Sequence, residues 1–141
     1  MNVKKLLLAT LVVGIVANVL DFIVHGQILQ GAYYSKMPSL FRQDSPMVWF
    51  IIGDFVAALV FIWVYDRVYG SFGGGPKSGA TYGFYAGVLL NFPTWLYNAG
   101  VYVGFPYALS WIWVIWGIIY MVILGAVAGA MYKKEATPAA A

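Results

Sequence analysis

The chain has 141 residues, 62% of them apolar and 9% charged, with a net charge of +3. A soluble domain carries about 25% charged residues, so eight basic and five acidic side chains are too few to cover a water-exposed globule of this size. This excludes a disordered chain, a nucleic-acid module and a cytosolic enzyme, and turns the question to whether apolar runs reach the roughly 20 residues needed to cross a hydrocarbon core of about 30 Å. Without cysteine there is no disulfide framework, thiolate nucleophile, Cys-ligated zinc or iron–sulfur cluster.

Four such runs follow in chain order. Span one starts after Lys4 and Lys5 and covers about 6–29. A basic start before an apolar run also suits a secretory signal, but the run continues past Asp21 to Ile28 without a clear small-x-small site, which predicts a retained anchor. A loop from Gln30 to Pro46 contains Pro38 and Pro46 and enough aromatic residues to predict a segment at headgroup level. Span two covers about 47–68, and the turn Gly70 to Lys77 stops it. Span three covers about 78–103. Pro93 inside it removes a backbone donor and predicts a bend, with Thr94 or a neighbouring span satisfying the freed carbonyl. Gly104-Phe105-Pro106 is a very short turn, so span four, about 107–132, runs antiparallel beside span three.

The expected fold is therefore all-α, a membrane-spanning four-helix bundle in one domain over 1–135, with a disordered tail at 136–141. Lys4, Lys5, Arg67, Lys77, Lys133 and Lys134 fall on one side, Lys36 and Arg42 on the other. Positive residues in short loops mark the cytoplasm, so both termini are expected there, in an inner membrane.

Ionisable groups inside a span cost about 2.5–3.5 kcal/mol each on insertion scales and therefore carry a functional hypothesis. Gly14, Asn18, Asp21 and His25 form one helical stripe, which predicts a bond between Asp21 and His25 one turn apart. By helical rise, Asn18, Asp21, Asp54, Asn91, Thr94 and Asn98 share the outer half of the bilayer. They predict a polar pocket there, built from Asn18, Asp21, Asp54, Asn91 and Asn98. Gly79, Gly83 and Gly87 on span three and Gly125 and Gly129 on span four predict close helix packing at the inner end. Bulky Trp95, Trp111, Trp113 and Trp116 are left to fill the outer half.

The pocket has two readings: a proton or cation path through Asp21 and Asp54, or a network that holds helices in register. His25, the lone histidine, is a weak haem or pigment ligand, because a bis-histidine site needs a second one. Gly73-Gly74-Gly75-Pro76-Lys77 lacks the strand and the Gly-Lys-Ser/Thr end of a phosphate loop and reads as a turn. No catalytic triad, metal-binding histidine pair or dinucleotide fingerprint is present, and no cofactor is required.

Several short motifs carry a resemblance: Asp21-Phe22-Ile23-Val24-His25-Gly26, Phe41-Arg42, Tyr69-Gly70, Pro106-Tyr107-Ala108-Leu109-Ser110-Trp111, and Gly125-Ala126-Val127-Ala128-Gly129 with Tyr132-Lys133. With them, nearly the whole chain resembles a group of small, functionally uncharacterised prokaryotic four-span membrane proteins. The resemblance implies fold and membrane location and carries over no activity and no functional residue. The expected function is non-enzymatic: an accessory or scaffold subunit of a larger membrane assembly, or a small oligomer, in contact with lipids and protein partners and not with nucleic acid. The alternatives are a small oligomeric transporter or channel using the outer polar residues, and a haem- or pigment-binding subunit through His25.

Overall fold

The computed structural model describes residues 3–72 and 74–132, and these are almost entirely helical. Helix α1 is Val3–Asp21, α2 is Met47–Phe72, α3 is Pro76–Val101 and α4 is Tyr107–Met131. Lys133, Lys134, Glu135 and the expected tail at 136–141 lie outside the described residues. Val3–Lys36, Met47–Phe72 and Tyr107–Met131 are long and apolar enough to cross a membrane. Helix α3 has the length but not the hydropathy, because glycines, Lys77, Asn91, Pro93, Thr94 and Asn98 dilute its apolar residues.

The helical run that begins with α1 continues well beyond the expected end at 29. Phe22–Leu29 is π-helical, Gln30–Ala32 adds a turn of α-helix, and Tyr34–Lys36 a turn of 3-10 helix. Helix α3 passes through Pro93 without interruption. The carbonyl freed by the missing proline N–H is that of Leu89, but the Thr94 hydroxyl donates to Leu90, at 2.6 Å. The expected repair by Thr94 thus falls one residue away, because a threonine hydroxyl in a helix reaches its own i−4 carbonyl.

The chain packs as two hairpins, α1 with α2 and α3 with α4, and the second has by far the closer contact. Gly79 opposes Gly125 and Gly129, Gly83 opposes Gly125 and Met121, and Gly87 opposes Ile118 and Met121. Next comes Asn91, lying on Gly117, and then Trp95, whose ring meets Trp113 at 4.8 Å between centroids. Each step of four up α3 is a step of four down α4, the register that keeps one face of each helix on the seam. Because its residues grow from glycine to tryptophan, the seam is a wedge, closed at the end where α1 begins and propped open at the other. We call these the proximal and distal ends.

At the closed end the Gly75 N–H donates to the Gly129 carbonyl, 3.1 Å away. Gly75 holds φ +90° as α3 starts and Gly104 holds φ +81° in the α3–α4 turn, a backbone region that glycine enters without steric cost.

The hydrophobic core is proximal. Leu6, Ala9 and Val13 of α1, Phe61, Ile62 and Tyr65 of α2, Tyr82 of α3, and Leu124 and Ala128 of α4 form it together with Tyr132. Two polar contacts are set inside this core. The Tyr82 hydroxyl donates to the Phe61 carbonyl at 2.9 Å, and the Tyr132 hydroxyl donates to Asp66 Oδ1 at 2.6 Å. Asp66 is only 3% exposed, so it is a core residue and not simply the end of a span. A bond from a buried donor to a carboxylate contributes about 1.5–3 kcal/mol. Tyr132→Phe is expected to lower stability by that amount in a reversible unfolding titration in mixed micelles.

Candidate functional site

The proposed pocket divides once its geometry is known. Asn18 turns back on its own helix and donates to the Gly14 carbonyl at 2.8 Å; Asn91 does the same to Gly87 at 3.0 Å. The Asn91 oxygen then accepts from Trp95 Nε1 at 2.9 Å, while its side chain lies against Gly117. Amide groups with no water nearby take the closest backbone acceptor, usually one turn back. Both asparagines are thereby satisfied within the hairpin that carries them. Asn98 is half-buried near the distal end of α3, where its backbone carbonyl accepts from Tyr102.

Asp21 and Asp54 do meet. Their carboxyl groups, one from α1 and one from α2, are close neighbours. Tyr120 of α4 lies within electrostatic reach of both carboxyls. Asp54 is about 10 Å along α2 from Met47 at 1.5 Å per residue, so the pair sits in the distal half of the molecule.

His25 does not bond Asp21. The turn that carries it is π-helical, with i→i+5 bonding, and the imidazole is engaged elsewhere. His25 Nδ1 instead meets the Tyr34 hydroxyl at 2.7 Å, and Trp113 Nε1 donates to the same hydroxyl at 2.9 Å. The Tyr34 hydroxyl thus accepts from the indole and bonds the imidazole at the same time.

Around this triad the loop folds into an aromatic roof. Phe41 lies 4.7 Å from Tyr34 with its ring tilted by 38°, and edge-on to Trp113 and Phe105. Gln43 holds the loop by donating to the Phe41 and Tyr34 carbonyls at 2.7 and 3.0 Å. The ion pair of Arg42 with Asp44 is exposed and contributes little. Tyr34→Phe removes both bonds at the centre of the roof. We expect a loss of about 1–2 kcal/mol and faster proteolysis within residues 37–46, measured in the same detergent preparation.

Sequence reasoning missed Tyr34, Trp113, Tyr120 and Asp66. Tyr34 and Trp113 are 79 residues apart, and Asp66 and Tyr132 are 66 apart, so no local spacing links either pair. Among the described residues no group of three or more His, Cys, Asp or Glu is placed to hold a metal ion. No protein family, curated protein or solved structure matches this chain.

Proposed function

We propose that this is a four-span inner-membrane protein with both termini cytoplasmic, non-enzymatic, that serves as an accessory or scaffold subunit of a larger membrane assembly or as a small oligomer. The observation that carries this reading is the start of α2. Met47, Val48, Trp49, Phe50, Ile51, Ile52 and Gly53 are all exposed, so almost two full turns are largely uncovered by the rest of the molecule. In lipid, helices associate through close backbone approach and interhelical bonds, for which small residues make room. Gly53 has open space where a side chain would stand, which suits a helix from another chain. The division of the polar pocket supports the same reading, because it leaves two acids where a continuous polar path needs more.

Extraction with minimal amphiphile followed by native mass spectrometry tests this. Stoichiometric partner chains or copies are expected, and Gly53→Trp is expected to remove them while leaving the monomer folded. A lone chain in every preparation overturns the proposal.

The Asp21–Asp54 pair favours a second reading, a small oligomeric carrier or channel that moves a proton or cation. Liposome flux abolished by Asp21→Asn and by Asp54→Asn supports it, and flux indifferent to both removes it.

A further inference from the structure

A groove of about 360 Å³ runs along the outside of the α3–α4 hairpin, lined by Lys77, Ala80, Thr81, Phe84 and Tyr85 of α3 and by Val122 of α4. The five α3 residues recur at helical spacing and so form one face. From Lys77 to Tyr85 the face is about 12 Å long at 1.5 Å per residue, close to half of a 30 Å hydrocarbon core. Its chemistry is graded along that length. Lys77, exposed in the first turn of α3, brings the cation, and the positive end of the helix dipole adds to it. Among the described residues no carboxylate pairs with Lys77. The Thr81 hydroxyl is spent on the Lys77 carbonyl, 3.1 Å away, and so presents lone pairs rather than a proton. Beside Thr81 stands Ala80, and deeper in Phe84 and Val122 make an apolar wall. Tyr85 is 61% exposed, and helical side chains lean toward the N-terminus, so its hydroxyl leans toward the Lys77 end.

We infer that this groove seats one anionic phospholipid, its phosphate on Lys77, its ester region between Thr81 and the Tyr85 hydroxyl, and one acyl chain along Phe84 and Val122. The charge match selects the occupant: a single cation with no carboxylate partner among the described residues, at the mouth of an apolar furrow one leaflet deep, complements an anionic headgroup with a hydrocarbon tail. Lys4, Lys5 and Arg67, at the same end, deepen the positive field that draws such lipids to the cytoplasmic leaflet. The inference rests on the four-span reading, which sets α3 across the bilayer with Lys77 at its cytoplasmic edge.

The test uses the full chain in mild detergent, with phosphatidylglycerol and phosphatidylcholine of identical acyl chains as probes and native mass spectrometry as the readout. One phosphatidylglycerol per chain is expected to persist at collision energies that strip phosphatidylcholine. Lys77→Gln should weaken retention about fivefold, the equivalent of about 1 kcal/mol for one basic residue near a membrane surface. Lys36→Gln, at the distal end, should leave it unchanged. Val122→Trp, which fills the furrow and spares the cation, should also cut retention.

Equal retention of the two lipids, equal behaviour of the two lysine variants, or full retention in Val122→Trp overturns the inference. So does displacement of the lipid by millimolar inorganic phosphate, which marks a small-anion site. Ser78→Cys and Gly100→Cys, labelled in sealed vesicles, test the four-span reading separately. If they label from opposite faces while lipid selectivity is missing, the groove assignment fails alone; if they label from the same face, both fail.

Discussion

Gly83→Leu is expected to cost about 3 kcal/mol, at the top of the usual range for overpacking a filled interface. A Cβ at position 83 runs into the Met121 carbonyl and comes within 3.1 Å of the Val122 Cα. Both obstacles are main chain, which cannot turn away as a side-chain tip can. The helices must therefore part, and the parting reaches Gly79 and Gly125 on either side of the contact. Gly70→Leu is the matched control, since nothing lies within 4 Å of its added Cβ, and no loss is expected there. Reversible unfolding of both variants in mixed micelles makes the comparison; equal stability of the two would show that the α3–α4 seam is looser than described.

The second large effect is expected at the acid pair. Asp54→Leu leaves the Asp21 carboxyl facing an apolar side chain, and a part-buried polar group left without a polar neighbour costs about 1–3 kcal/mol. A loss of about 2 kcal/mol is the expected result. Asp54→Asn supplies an amide donor in nearly the same volume and should lose less than about 1 kcal/mol. The two variants thus separate the polar neighbour from the charge. If leucine and asparagine are tolerated alike, Asp21 and Asp54 do not depend on one another.

What could be read in the sequence was whatever one helix repeats along its own face. The glycine steps at 79, 83, 87 and at 125, 129 need only a period of four, and the α3–α4 adjacency needs only the short Gly104 turn. The same reasoning placed Asn18, Asn91 and Asp21 on helical faces, yet it could not say where each polar group would spend its bonds. Both asparagines found partners on their own helices, while Asp21 found a neighbour on another. The π-helical stretch was invisible for a related reason. Eight residues with no proline and no charge give no sign of a wider turn, and the 3.6 period applied across them sent His25 toward Asp21. The roof stayed hidden because His25, Tyr34 and Trp113 come from three separate segments and only the folded loop assembles them.

The tapering seam between α3 and α4 has a mechanical consequence. Main-chain contacts at Gly79 and Gly129 act as the rivet of a pair of tongs, and Trp113 stands about 24 Å along the arm at helical rise. A tilt of about 5° at the rivet displaces that indole by about 2 Å, enough to break its bond to Tyr34. The glycine end hardly moves through such a swing. Leverage therefore delivers any bending of this hairpin to the histidine, the tyrosine and the loop that covers them.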